Sequence, residues 1–167
     1  MDNIEKNRYV RTAITEALLD LLAEKELDKI TVSEITAKAE VGRVSFYRNY
    51  KTKEDILKQH LLSIIRKWSA DASADRLSPN ELIRELFQHM SVHKDFYTLL
   101  YQKDLFYLFR DILEKLMVKD SALSNPEAYA AAFASYGLYG WIREWLARGM
   151  QESPEELYAF LNKRPIA

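Results

Sequence analysis

The chain has 167 residues, of which 48% are hydrophobic and 29% charged, and its formal net charge is -1. This composition is typical of a soluble globular protein with one or two small domains, and it excludes fibrous and disordered classes. Cysteine is absent, which excludes disulfides, thiolate metal sites and cysteine nucleophiles. No apolar run approaches the roughly 18 residues of a membrane span, and the first residues lack the apolar core of a signal peptide. We therefore expect a cytoplasmic protein that has no membrane partner.

The first predicted helix covers residues 2 to 25. Asp2 or Asn3 can cap its start, and apolar residues recur along it at helical spacing. Arg8 and Arg11 lie on its more polar side, where charged side chains are as often solvated as bound to a partner.

A capping box marks the start of a second helix. The Thr31 hydroxyl can accept from the backbone N–H of Glu34 while the Glu34 carboxylate reaches back to the N–H of Thr31, so the helix should begin at Val32. Gly42 stands where we expect the chain to turn before a third, short helix at residues 43 to 50. Two short helices joined by a tight turn are typical of helix-turn-helix proteins, in which the second helix enters the major groove of DNA.

The third helix and the residues after it are locally basic. The window from residue 43 to residue 53 carries +4 and has no acidic residue, in a chain of net charge -1. Tyr47 and Tyr50 alternate with these bases, and a tyrosine hydroxyl can donate to a phosphate while its ring packs on the protein. A solvated basic face would have the same composition, so charge alone leaves both interpretations open. The four basic residues are Arg43, Arg48, Lys51 and Lys53.

Six further helices are predicted from residue 53 onwards. A long fourth helix has no Gly or Pro, and Ser78, followed by Pro and Glu, caps the fifth. Lys94-Asp95 is expected to separate the fifth helix from the sixth, while Asn125-Pro126 begins the eighth and Gly149 ends it. With about nine helices and no convincing strand, the sequence predicts an all-α fold.

Residues 31 to 54 resemble the DNA-binding signature of the tetracycline-repressor (TetR) family of regulators. That signature has a Thr-capped second helix, an A-G-V-S-like turn, a recognition helix with a T-L-Y-x-H-F-like string and a Lys-Glu pair that opens the fourth helix. The chain departs from it at Glu40, where Gly is usual, at Gly42, where Ser or Asn is usual, and at Asn49, where His is frequent. Its S-F-Y-R-N-Y string is similar to that of the branch with S-T-F-Y-x-H-Y and a short C-terminal domain. The matching residues are Thr31, Ile35, Ala39, Val41, Ser45, Phe46, Tyr47, Tyr50, Lys53 and Glu54.

The resemblance implies a helix-turn-helix domain of three helices at residues 1–52 and a C-terminal helical bundle at residues 53–167, joined by the fourth helix. It also implies a transcriptional regulator, a repressor that binds a palindromic DNA operator as a homodimer and is released by a small ligand. Arg43, Val44 and Ser45 are then the candidates for contacts to base edges. The other DNA-binding candidates, mainly for phosphates, are Thr31, Tyr47, Arg48, Asn49, Tyr50 and Lys53.

The C-terminal body is rich in aromatic residues, which would line an effector pocket or pack in the core. Some members of the branch with short C-terminal domains are controlled by a protein partner instead of a small molecule, and the sequence leaves this choice open. The pocket candidates are Phe87, Met90, Tyr101, Phe106 and Trp141.

Residues 126 to 149 place small residues beside large aromatics, a pattern that lets helix backbones approach closely. Burial within one subunit would use the same pattern, but the two-fold symmetry of helix-turn-helix proteins on DNA favours a dimer contact. The interface candidates are Tyr129, Phe133, Tyr136, Gly137, Gly140, Trp141, Leu157 and Phe160.

No residue pattern supports an enzyme, because no Ser-His-Asp order, Gly-rich phosphate loop or carboxylate pair stands out. His89 and His93 have the i, i+4 spacing of a metal site, but a third ligand and the Glu of H-E-x-x-H are missing, so we expect no metal and no cofactor. A protein-interaction module or coactivator on the same fold is the alternative to a DNA-binding repressor.

Overall fold

The structure is a computed structural model that describes residues 3–72, 77–117 and 123–163. Within these ranges it is entirely helical and contains no strand, which confirms the predicted all-α fold. A short 3-10 turn at Leu27–Lys29 follows the first helix. The α-helices are α1 (Asn3–Glu24), α2 (Val32–Lys38), α3 (Arg43–Asn49), α4 (Lys53–Asp71), α5 (Pro79–Val92), α6 (Lys94–Gln102), α7 (Tyr107–Met117), α8 (Asn125–Ala147) and α9 (Pro154–Lys163).

The chain forms two compact units that divide between Ile64 and Ile65, inside α4. The sequence placed the domain boundary at the start of α4, after residue 52. No helix of the described ranges is both long enough and apolar enough to cross a membrane.

The first unit is held together by α1, which packs on α2 and α3. Its core contains Ile14, Leu18, Phe46 and Leu57, none of which exposes any surface. Phe46 is the one buried residue among the seven of α3. A single aromatic ring therefore anchors this helix in the core, and most of its other side chains are free to face outwards.

The turn between α2 and α3 differs from the prediction. Gly42 has φ -74°, an ordinary extended conformation, and it is Glu40 that adopts the left-handed conformation, with φ 53°. The N–H of Glu40 donates to the Ala37 carbonyl at 3.2 Å and the N–H of Val41 to the Thr36 carbonyl at 3.0 Å. These two bonds form a Schellman motif at the end of α2, which places the left-handed residue two positions before the expected glycine.

The second unit has an aromatic core. In this unit α7 and α6 pack on α8, and α5 packs on α9. Phe87 meets Trp145 edge to face with ring centroids 5.7 Å apart, and Tyr97 meets Phe109 in the same way at 5.8 Å. A capping box starts α5, as the sequence predicted. The break between α5 and α6 falls at His93, one residue before the predicted Lys94.

Candidate nucleic-acid interface

The recognition helix α3 presents one face to the surroundings. Val44 is 75% exposed and Tyr47 63% exposed, although both are large and apolar in part. Arg43 and Arg48 are exposed beside them, and Ser45 is half-buried. The structure therefore brings the three candidates for base contacts, residues 43 to 45, to the accessible start of the helix, together with two candidates for phosphate contacts.

The guanidinium of Arg43 is held in place by the neighbouring helix. Its Nη2 donates to the Ser33 hydroxyl of α2 at 2.5 Å. Guanidinium has five N–H donors in a rigid fork, so one bond to Ser33 leaves the others available. Arg43 is thus oriented before any partner arrives, while its charge stays exposed.

Thr31 lies in the capping box that the sequence predicted. Its hydroxyl donates to Glu34 Oε2 at 2.8 Å and accepts from the Glu34 N–H at 3.2 Å, while its own N–H donates to Glu34 Oε2 at 2.8 Å. Lys25, after α1, forms an ion pair with the same carboxylate. The hydrogen bond from Lys25, followed by those from Thr31, lowers the pKa of Glu34 from 4.5 to about 2. The exposed Thr31 therefore already has a partner in the protein.

Two further DNA-binding candidates, Asn49 and Tyr50, also contact other parts of the protein. The side chain of Asn49 donates to the Ser45 carbonyl at 2.8 Å. Tyr50 is buried, with only 3% of its surface exposed, and the centroid of its ring lies 6.0 Å from that of Phe46. Sequence reasoning could not show this, because exposure on such a short helix depends on what the rest of the domain covers.

Lys53, the first residue of α4, also has partners within the protein. Its Nζ donates to the Leu27 carbonyl at 2.5 Å and to the Ile30 carbonyl at 2.6 Å. Both acceptors belong to the segment that connects α1 to α2. The ammonium group thus ties the start of α4 to the entry of the helix-turn-helix, whereas Lys51, two residues earlier, is exposed.

A cleft of about 590 Å³ lies in the first unit between α1 and α4. Arg8 and Arg11 of α1 are among its lining residues, as are Tyr50 and Gln59. Arg11 Nη2 donates to Gln59 Oε1 at 2.7 Å. No sequence pattern indicates Gln59, because a single polar residue on a long amphipathic helix does not stand out.

The five predicted pocket residues are distributed between the core and two clefts. Phe87 and Met90 are fully buried in the core. Tyr101 and Phe106 line an open cleft of about 510 Å³, together with Tyr139 and Arg143 among others. Trp141 lines a different cleft, of about 300 Å³, beside α9.

His89 and His93 lie next to each other, with ring centroids 4.7 Å apart. Among the residues that the structure describes, no group of three potential ligands gathers around a common point. His89 is buried, and its Nε2 lies 3.0 Å from the hydroxyl of Tyr97. Burial, with a smaller effect of His93, lowers the pKa of His89 to about 4, so the imidazole is neutral at pH 7.

An exposed aromatic face runs along α8 and reaches α9. Gly137 and Gly140 lie on this side of α8, and no described atom outside the helix's own backbone comes within 4 Å of where a Cβ atom on either would stand. Two other interface candidates lie deeper, since Leu157 is buried and Trp141 half-buried. We call the exposed side chains the α8 aromatic face: Tyr129 (75% exposed), Phe133 (80%), Tyr136 (55%) and Phe160 of α9 (51%).

Comparison with known proteins finds two family models that match this chain. The model for bacterial regulatory proteins of the tetR family matches residues 14–59, and a model for the C-terminal region of transcriptional regulators in the TetR group matches residues 78–163. The HTH-type transcriptional regulator YxbF of Bacillus subtilis strain 168, itself uncharacterized, is 47% identical over 53 residues. That match covers 30% of this chain and only 14% of YxbF.

Two solved structures share the fold along nearly the whole chain. A TetR transcriptional regulator from Streptococcus agalactiae 2603V is similar with a TM-score of 0.62 and 21% identity, over 96% of this chain and 97% of that one. The dihydroxyacetone kinase operon activator DhaS is similar with a TM-score of 0.54 and 19% identity, over 90% of each chain. At these identities the similarity establishes the arrangement of helices, and specific residue roles rest on the geometry of this chain.

Proposed function

Because this chain belongs to the TetR family of transcriptional regulators, we propose that it is a repressor that binds a palindromic DNA operator as a homodimer. The observation that carries the proposal is the accessible face of α3, where Arg43, Val44 and Tyr47 are exposed on a helix anchored by one buried ring. Helix-turn-helix proteins place such a face in the major groove. The chain has little net charge, so its affinity for DNA must come from this local patch.

We assign different roles to the residues of the patch. Arg43, Val44 and Ser45 contact base edges, since they stand at the start of α3, where a recognition helix meets the bases. Tyr47 and Arg48 contact phosphates, with the exposed Lys51 as a further cation. The other four sequence candidates hold the helices in position through their protein partners, and a direct DNA contact by any of them stays a prediction. These four are Thr31, Asn49, Tyr50 and Lys53.

The homodimer is supported by the α8 aromatic face. Monomeric soluble proteins rarely expose a continuous apolar patch of several large rings, and such patches mark interaction sites. Gly137 and Gly140 add open space into which a second helix can approach. Two subunits joined here would present two recognition helices, and operator half-sites lie roughly 34–36 Å apart. A bound dimer represses by occluding the promoter.

A ligand can release the protein from DNA only if it binds two arrangements of the dimer with different affinities. The open cleft with Tyr101, Phe106, Tyr139 and Arg143 is the part of the predicted pocket that is accessible, and its stacked rings and guanidinium suit an aromatic molecule that carries a negative charge. Control by a protein partner is the alternative. We place both below the DNA-binding proposal, because Phe87 and Met90 are buried and line neither of the two clefts that the other pocket candidates line.

Activation is the second candidate for the direction of control. One solved structure with this fold bears the name of an operon activator, so the fold is compatible with activation. The alternative to a repressor is then a coactivator that acts through protein contacts. A coactivator of this kind would not need the exposed face of α3 to select a DNA sequence.

Selection of bound sequences from a random duplex library tests the proposal. We expect a palindromic sequence to emerge, and Arg43→Ala to lose about 1–3 kcal/mol of binding at that sequence but little on random duplex. Ser33→Ala is the matched control, because it removes the partner of Arg43 without removing a charge. If the wild-type protein selects no sequence, it is not a sequence-specific repressor, and the coactivator becomes the better interpretation.

A further inference from the structure

One side chain on α4 connects two other helices of the first unit. Gln59 Oε1 accepts from Arg11 Nη2 of α1 at 2.7 Å, and Gln59 Nε2 donates to the backbone carbonyl of Asn49 at 3.3 Å. Asn49 is the last residue of α3. The helices α1, α3 and α4 are therefore connected through one amide group, which we call the Gln59 bridge.

The chemistry of the bridge fixes which way the amide points. A guanidinium can only donate and a carbonyl can only accept, so Gln59 must turn its oxygen to Arg11 and its nitrogen to Asn49. Few side chains can do both at once. Glutamate would accept from Arg11 but has no N–H for Asn49, and methionine of similar length would do neither.

The end of α3 depends on such contacts more than a long helix would. The last carbonyls of a helix have no intrahelical partner, and Gln59 supplies one for Asn49. A helix of seven residues is unstable by itself, and Phe46 is the one residue of α3 that is buried in the core. The orientation of α3 must then be fixed partly by polar contacts at its end.

We infer that Gln59 is a positioning residue for the recognition helix, acting together with Arg11. By holding the end of α3 against α1 and α4, the bridge sets the angle at which the exposed side chains of α3 meet DNA. Arg11, although exposed, then serves sequence recognition by holding the amide of Gln59 in place. This inference rests on the proposed DNA-binding function.

The test compares Gln59→Glu, Gln59→Met and Arg11→Met with the wild type on the operator selected from the random library. Both Gln59 variants should lose about tenfold in operator affinity, the equivalent of one net hydrogen bond, and the ratio of operator to random-duplex affinity should fall with it. Arg11→Met should cause little further loss of that ratio in a Gln59→Met background, because both changes break the same bridge.

Lys58→Met is the matched control for charge, since Lys58 is the exposed neighbour on α4 and its loss changes the net charge as much as Gln59→Glu does. It should weaken operator and random duplex alike and leave their ratio unchanged. A general loss of folding would also lower both affinities together, so the ratio separates positioning from stability.

Hydrogen exchange of the free protein tests the bridge independently of any operator. The amides at the end of α3, including that of Tyr50, should exchange faster in Gln59→Met than in the wild type. If the library yields no operator, the proposed repressor fails while this measurement still decides the bridge. Unchanged exchange at the end of α3, or Gln59 variants with the wild-type affinity ratio on a selected operator, would overturn the inference.

Discussion

Replacing Lys53 by Met separates two roles that this residue could have at the start of α4. The sequence pattern predicts a phosphate contact, whereas the structure gives its ammonium group two backbone carbonyls, those of Leu27 and Ile30. Methionine keeps most of the length and the apolar stem of the lysine and removes all of its donors. We therefore expect the substitution to lower stability and to leave the salt dependence of DNA binding unchanged.

The magnitude follows from what each carbonyl retains. The Leu27 carbonyl also accepts the N–H of Ile30 at 3.2 Å, so it keeps one partner, while the Ile30 carbonyl loses the charged donor. A hydrogen bond to a charged group contributes about 1.5–3 kcal/mol, so we expect a loss of about 2 kcal/mol. For a chain of this size that corresponds to a fall in Tm of roughly 4–8 °C.

Lys51→Met is the matched control, because it removes the same charge from an exposed position two residues away. Thermal unfolding and binding titrations across a range of salt concentrations are measured for both variants. Lys51→Met should keep the wild-type Tm and lower the salt slope by about one phosphate contact. The opposite pattern, a Lys53→Met protein with an unchanged Tm and a lower salt slope, would refute the positioning role and support the phosphate contact.

Three further changes test other parts of the structure. Since hydrogen bonds lower the pKa of Glu34 from 4.5 to about 2, its stabilising contribution is complete above pH 4.5 and is lost as the pH falls towards 2. The stability difference between wild type and Glu34→Gln, measured by denaturant titration, should therefore shrink over that interval. A constant difference would contradict this. Glu40→Gly should raise stability by about 1 kcal/mol in the same assay by relieving a left-handed conformation, whereas Glu16→Gly, at an exposed position within α1, should lower it. If Glu40→Gly does not raise stability, Glu40 is unstrained. Gly140→Leu should leave the subunit folded, because Gly140 is exposed and a Cβ atom there would meet no described atom outside its own helix within 4 Å, yet the protein should sediment as a monomer. A stable dimer would place the interface elsewhere.

The helices could be predicted because their starts depend on local chemistry. Thr31 and Ser78 each cap a helix with an acidic residue three positions later, and both boxes form as the spacing requires. The turn after α2 was harder to predict. Glycine usually marks a left-handed residue, but the Schellman bonds place that conformation at Glu40, and a glutamate in the sequence gives no sign of it.

The candidate site could be predicted in outline but not in its internal contacts. Val44 is exposed on α3 because it stands two positions before the buried Phe46 and so lies on the opposite side of the helix, and Arg43 is exposed at the first position of α3. The partners of Lys53 lie 23 and 26 residues away in the chain, and no local pattern can identify such contacts. Composition likewise could not distinguish a pocket from a core, since Phe87 and Tyr101 are both aromatic and only the fold buries one and leaves the other beside a cleft.

The exposed isopropyl group of Val44 has a consequence for the chemistry of the DNA itself. A branched apolar side chain that is 75% exposed gains by meeting another apolar surface, and the only one in the major groove is the 5-methyl group of thymine. We therefore expect a thymine in each half of the operator opposite Val44. Replacing that thymine by uracil, which pairs identically but lacks the methyl group, should weaken binding by the wild-type protein and not by Val44→Ala. Cytosine at the same step should regain part of the affinity once it is methylated at carbon 5, so that the protein would respond to a modification that leaves base pairing unchanged.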